Sequence, residues 1–296
     1  MIRRRKIIDA LFAMAGLLAM LVALFTLAAL LARLAIDGSD RISWQFLSSY
    51  PSRFPEQAGI LSAWIGTILV MFVTASAALP LGLGAAVYLE EYAPKNWMTD
   101  LIEINIANLA GVPSIVYGLM ALGLFVYQFQ LGQSILTAGL TLALLILPMV
   151  IIATREAIRS VPNTIREAAY ALGATKWQMV KHHVVPYSMG GILTGLIIAM
   201  SRAIGETAPL ITIGALSFIA FLPHPPLQSD FPFLSFQWLL DPFTVMPIQM
   251  FNWVSRPQEE FHLNAAGAGL ILMAMTLAMN GLAIYIRTRF RRRIHW

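Results

Sequence analysis

Gly190–Leu222 reads GGILTGLIIAMSRAIGETAPLITIGALSFIAFL, an apolar run whose only charged side chains are Arg202 and Glu206. An α-helix rises ~1.5 Å per residue, and roughly 20 apolar residues cross the hydrocarbon core of a bilayer. The run is long enough to span. That reading decides the fold class, because it makes lipid rather than water the solvent for most side chains. Composition agrees: of 296 residues, 58% are apolar and only 12% charged, about half the charged share of a soluble domain.

Outward from this run lie five more of the same kind, approximately Ile7–Ile36, Ile60–Leu89, Ile104–Tyr127, Gly132–Ala153 and Leu263–Ile286. They are continuous rather than alternating, which excludes a β-barrel. The expected fold is an all-α integral membrane protein with six transmembrane helices. The first run follows the basic start Arg3, Arg4, Arg5 and Lys6, as a signal peptide would. Its apolar stretch is about twice the usual length of such a segment, so it reads as a retained span. The chain has no cysteine, which rules out disulfides and thiolate metal sites.

Six spans place both termini on one side, and the distribution of Lys and Arg says which. With the N-terminus inside, fifteen of the 20 basic residues fall on inner segments and four, Arg33, Arg41, Arg53 and Arg256, on outer ones. Positive residues stay on the cytoplasmic side, so both termini are expected there. The chain divides into 1–58, a first helix with an outer loop; 59–290, the main transmembrane domain; and 291–296, a basic tail. Within the main domain an inner loop covers 154–189 and an outer loop 223–262. The outer loop is rich in proline and aromatic residues (Phe221–Phe233, FLPHPPLQSDFPF), and Pro247–Trp253 within it suits a short interfacial helix.

The inner loop contains SVPNTIREAAYALGATKWQMVKHHVVP, Ser160–Pro186. Thr164 with Glu167, and Thr175 with Gln178, have capping-box spacing, so two short helices can start there. Ile165, Ala168, Ala169 and Leu172 recur at helical spacing as one apolar face. Gly173 is a natural stop, and Pro186 is expected to end the second helix before the next span. The small residues on this face suit close packing on another protein better than insertion among lipid headgroups. A helix-turn-helix reader of DNA is out of place between two spans, so no nucleic-acid partner is expected. His182 and His183 are adjacent and lack neighbouring carboxylates, which gives no metal-ligand spacing.

Glu167–Pro186 resembles the EAA loop of bacterial ABC-importer permeases, with Glu167, Ala168, Ala169, Gly173 and Pro186 at the matching positions. His183 and Val185 stand where that pattern has hydrophobic residues. VPSIVYG (Val112–Gly118), VPNTIREAAYALG (Val161–Gly173) and SRAIGETAPL (Ser201–Leu210) are together similar to the PstA-type permease family of bacterial phosphate importers. The resemblance runs from the second span to the end of the chain. It implies a type I ABC-importer permease fold in the bacterial cytoplasmic (inner) membrane. It further implies a second, PstC-like permease, PstB-like ATPase subunits that use ATP and Mg, and an extracytoplasmic phosphate-binding protein. This chain has no G-x-x-x-x-G-K-[ST] run, so ATP is expected on a separate subunit and no cofactor or catalytic residue on this one. Two other readings stay open: a permease for another oxyanion such as sulfate or molybdate, and a secondary transporter or channel, which would have no use for an ATPase-docking loop.

Arg202 lies about twelve residues into the quoted run, roughly 18 Å deep if the helix is continuous. An arginine at that depth costs at least about 2.5–3.5 kcal/mol against lipid, so it is expected to face the protein interior or a cavity. Glu206 is i+4 from it and shares its face in a helix. The pair fits two roles: an internal salt bridge, or a site on the substrate path where the guanidinium forks onto a tetrahedral oxyanion. Ser114 and Tyr117, beside the helix-breaking Gly111 and Pro113, are further candidates for that path. Asn105 and Asn108, three residues apart, are expected to glue helices together.

Overall fold

The computed structural model describes residues 2–226, 233 and 235–291. Residues 227–232 and 234 of the outer loop, and 292–296 of the basic tail, lie outside the described residues. The described residues are helical, with one isolated bridge between Ser134 and Pro242.

Three long helices form the centre: α3 (Leu61–Val87), α6 (Ile135–Arg159) and α9 (Val185–Ala203). In lipid, helices associate through close packing of small residues, since burying apolar area gives no advantage over lipid tails. That rule is visible here. A side chain on Gly139 of α6 would strike Val73 of α3, and one on Gly195 of α9 would strike Ala153 of α6. Thr74 also donates from α3 to the Gly139 carbonyl at 3.2 Å. Ala199, one turn further along α9, is fully buried.

The outermost pair is α1 (Ile2–Ser39) and α12 (Glu259–Arg291), which run antiparallel, with Leu34 near Gly269 and Gly38 against Ala266. Their free ends therefore leave from the same end of the bundle. The inner loop is at that end too, because Arg287 of α12 donates to Thr194 on the first half of α9. At the opposite end, Arg41 bonds Asn264 and the Pro55 carbonyl. A short α2 (Trp44–Ser48), capped by Ser43, packs there. α11 (Met246–Val254) forms where a helix was expected at Pro247–Trp253, with one face turned into the bundle. Met246, Gln249 and Trp253 are fully buried, and the helix packs on α12 and α3.

The third apolar run is broken. α4 (Trp97–Leu109) and α5 (Ser114–Ala121, continued by a π-turn over Leu122–Gln128) meet at 104°. Pro113 lacks an N–H and biases Val112 away from helical geometry, so Gly111–Pro113 breaks the run where the sequence indicated. Asn105 bonds the Leu101 carbonyl of its own helix and Asn108 is exposed, so neither glues helices within this chain.

The fifth run needs correction at both ends. Its helix begins far earlier than Gly190. α8 (Lys176–Met179) passes through a π-turn (Val180–Val184) directly into α9, giving one helix of 28 residues. Pro186 was expected to end the second loop helix and instead lies within it. The π-turn explains this: the Val185 N–H reaches back five residues to the Val180 carbonyl. That shift of register lets a residue without an N–H follow without breaking the helix. At the far end the helix stops at Ala203, not Leu222. After a turn, α10 (Ala208–Thr212) begins with Pro209 in its first turn, and the chain then runs on without helix to 236 among the described residues.

Candidate functional site

The α9–α10 break sets the geometry around Arg202. Arg202 is in the last turn of α9, while Glu206 lies past the helix end. Their side chains still meet, Nε to Oε1 at 3.4 Å, the long limit of a hydrogen bond. The other contact of the guanidinium is with the Met149 sulfur, Nη1 to Sδ at 3.4 Å. Met149 sits near the middle of α6, so Arg202 is level with the middle of that helix. The arginine side chain is 39% exposed and the glutamate 20%. Arginine has five N–H donors in a planar fork, and most of these remain unused among the described residues.

Two sequence motifs converge beside this pair. Pro209 and Thr212 of α10 pack so closely on Gly118 of α5 that a Cβ there would strike both. Tyr117 is brought within electrostatic range of Arg202. It is buried, and its hydroxyl donates to the Leu109 carbonyl at 2.8 Å, fastening α5 to α4 across the break. Ser114 opens α5 and makes no side-chain hydrogen bond among the described residues.

The inner loop forms the second region. α7 (Asn163–Ala171) is capped by Pro162 without a side-chain bond, so the Thr164–Glu167 capping box does not form. Proline at the cap position starts the helix one residue before Thr164, which then falls inside the first turn. The Thr175–Gln178 box does form in both directions. Between them Gly173 has φ +83°, a left-handed conformation cheap only for glycine. Gly173 N–H reaches the Tyr170 carbonyl and Ala174 N–H the Ala169 carbonyl, a glycine C-cap motif. The expected apolar face of α7 is split. Ala169 is buried and Ile165 partly so, whereas Leu172 is 89% exposed. With Tyr170 and Trp177, also exposed, it forms an apolar tip. Glu167 and Ala168 are exposed as well, and Pro186 is half-buried.

What holds this tip to the spans is a set of charges that sequence reasoning passed over. The chain after α3 makes a π-turn, Tyr88–Tyr92, closed by the Ala93 N–H on the Tyr88 carbonyl. Glu90 there pairs with Arg159 at 3.0 Å and Arg155 at 3.3 Å; Arg155 also pairs with Glu103 of α4. Glu91 pairs with Arg166 of α7 at 2.8 Å. A polar cleft of about 310 Å³ opens between Glu90, Lys95, Asp100, Glu103, Arg155 and Arg159. The signal in the sequence was the adjacent acidic pair Glu90–Glu91 at the end of a span, facing segments counted only for their arginines. Among the described residues no three His, Cys, Asp or Glu side chains converge to hold a metal ion.

A bundle of long apolar helices, a bent pair and a two-helix loop at one end make this an all-α membrane-protein architecture. Residues 78–296 match the family described as "Binding-protein-dependent transport system inner membrane component", and the chain belongs to that family. It is 34% identical over 287 residues to the "Probable ABC transporter permease protein YqgI" of Bacillus subtilis, covering 95% of this chain and 91% of that protein. It is 35% identical over 245 residues to the "Phosphate transport system permease protein PstA 1" of Mycobacterium tuberculosis, covering 80% of this chain and 74% of the relative. Among solved structures, an inward-facing form of the MetNI methionine ABC transporter superposes with TM-score 0.58 at 14% identity. It covers 76% of this chain and 93% of the other, a likeness of fold alone.

Proposed function

We propose that this chain is the membrane-spanning permease subunit of an ATP-driven importer of inorganic phosphate. The observation that carries the reading is continuity: Lys176 in the loop and Arg202 at mid-depth belong to one helix, Lys176–Ala203. A helix of 28 residues is ~40 Å long. Whatever moves the loop moves the arginine.

In this reading the exposed tip of Tyr170, Leu172 and Trp177, with Glu167, Ala168 and Gly173 on the same loop, docks on a PstB-like ATPase subunit. That subunit holds ATP and Mg. A PstC-like permease completes the path, and a phosphate-binding protein delivers the anion from outside. Relatives described as phosphate transport permeases support the substrate. The pair at the α9 end supports it chemically. Arg202 has unused donors for two phosphate oxygens. Glu206, when ionised, only accepts hydrogen bonds; it accepts one from the P–OH of phosphate and repels fully deprotonated sulfate. Ser114 and Tyr117 belong to the same path, Tyr117 by holding the bent span in place. The chain itself performs translocation, with no catalytic residue of its own.

The test is co-purification with the ATPase subunit and reconstitution in liposomes with the binding protein. Phosphate should stimulate ATP hydrolysis and sulfate should not; equal stimulation by sulfate would overturn the substrate. Both termini and the inner loop are cytoplasmic in this proposal. Cysteine at exposed Ser160 should resist a membrane-impermeant thiol reagent applied to intact cells, and cysteine at exposed Ser255 should react.

A further inference from the structure

The turn Tyr88–Tyr92 does more than end α3. Four consecutive side chains in it reach three neighbouring helices, α6, α7 and α8. Leu89 enters the apolar cluster that holds Ala169 and Met179 of the loop helices. Glu90 takes the two α6 arginines. Glu91, only 8% exposed, takes Arg166 of α7. Tyr92 lies under Lys176 of α8, with the ammonium 4.9 Å from the ring centre. A π-turn is wider than an α-turn and re-aims successive side chains. Both loop helices therefore stand on the turn that continues α3.

Arg166 is the tightest of these contacts. Nε and Nη2 donate to Glu91 Oε1 at 3.1 and 2.8 Å, Nη1 to the Val161 carbonyl and to Asn163, and Nη2 to the Ile158 carbonyl. Every donor of the fork is used, and the fork joins α7, the end of α6 and the end of α3. Further back along α3, Val70 and Met71 pack with Ala203 and Ile204 at the break beside Arg202. α3 thus runs from the loop to the break, parallel in role to α9.

We propose that the Tyr88–Tyr92 turn is the receiver through which the loop drives α3, and that Glu91 and Arg166 are its positioning residues. This rests on the reading of the loop as the ATPase-docking element. The pair touches neither anion nor nucleotide. It makes α7 and α3 move as one body, so that α3 and α9 displace the break from two sides at once. Without the link α9 still follows α8, while α3 lags, and ATP is hydrolysed with the path incompletely opened.

The experiment is a double-mutant cycle in reconstituted complex with Glu91→Gln, Arg166→Lys and the double variant. The readout is phosphate taken up per ATP hydrolysed, alongside the amount of ATPase subunit that co-purifies. Each single variant should lower the ratio by about fivefold, and the double no further, as expected when one link is cut twice. Glu91→Asp, which keeps the charge, should retain most of the ratio. Co-purification should be unchanged throughout. A merely structural role would lower the yield of complex and both rates together at constant ratio, and that outcome overturns the proposal. If Glu91→Gln gives too little complex, Arg166→Lys and Glu91→Asp decide by the same ratio. Failure of the wild-type chain to bring down the ATPase would overturn the docking reading and this inference with it. Normal docking with an unchanged ratio overturns this inference alone.

Discussion

Arg166 and Arg202 each face a glutamate, and the two pairs differ in almost every physical respect. Arg166 makes five hydrogen bonds to a carboxylate, a side-chain amide and two carbonyls. Arg202 makes one long bond to its glutamate and one contact to a thioether. Arg166 spans between separate helices; Arg202 bonds a residue four positions on. The saturated fork has no donor left for a ligand, so it joins parts of the chain to one another. The other fork is held in an apolar bundle at the cost of its own hydration and is left with donors to spare. In the proposed function those spare donors are what a visiting anion would meet.

The sharpest way to break this comparison is to remove both arginines in turn. Arg166→Ala leaves Glu91 nearly buried and unpaired, a loss of about 3–5 kcal/mol. The folded chain should fall several-fold in membrane abundance. Arg202→Gln should leave abundance near normal, because Glu206 is partly exposed and glutamine keeps hydrogen-bond donors facing it. Immunoblots of membrane fractions, with limited proteolysis for fold, compare the two. Equal loss of abundance would erase the distinction.

The second measurement concerns transport by the Arg202 variants that do assemble. Losing one or two charge-assisted bonds to phosphate should lower uptake by about 10- to 100-fold. The double variant Arg202→Gln with Glu206→Gln decides between roles. Were the pair only a salt bridge, neutralising both would restore uptake. On the substrate path, the double variant assembles and still fails. Exchanging the two residues should fail likewise, because the anion needs its positive partner at one place.

These two regions were unequally legible in the sequence. Apolar length exposed the five long apolar helices and the α4–α5 pair, and Gly111–Pro113 exposed the break in that pair. Turn chemistry exposed Gly173 and the Thr175–Gln178 cap, since both are local. What escaped depended on register or on distant partners. Pro186 looked like a stop because a π-turn four residues upstream has no composition of its own. The end of α9 at Ala203 was hidden by apolar residues that run on to Leu222 with no change of character. Glu90, Glu91 and Glu103 were invisible as partners because Arg155, Arg159 and Arg166 are more than fifty residues away in sequence. Arg202 and Glu206 could be named as a pair from spacing alone, although the helix that justified the spacing stops between them.

A smaller effect is expected at Gly173. Its φ of +83° costs a side-chain-bearing residue about 1–2 kcal/mol, and no atom lies within 4 Å of where a Cβ would be. The penalty is conformational, not steric. Gly173→Leu should lower phosphate uptake several-fold at normal abundance, by misdirecting the tip it connects. Asparagine enters the left-handed region more readily, so Gly173→Asn should keep most of the uptake. Equal loss in both would place the defect in lost packing on the ATPase rather than in the backbone.

The smallest effect separates two threonines of the same loop with the same spacing. The Thr175 hydroxyl accepts the Gln178 N–H and the Thr175 N–H donates to the Gln178 side-chain oxygen, whereas Thr164 lies inside α7 and caps nothing. Replacing a working N-cap threonine by alanine costs about 1 kcal/mol. In a chain of this size that is about 2–4 °C in melting temperature. Thr175→Ala should show this shift in detergent, provided α8 unfolds with the helix it continues into. Thr164→Ala should show none, and alanine's better helix propensity could even raise the value slightly. Both sites are exposed, so neither change opens a cavity. If the two variants shift alike, the loop's stability does not come from its caps, and the charges on the α3 turn carry all of it.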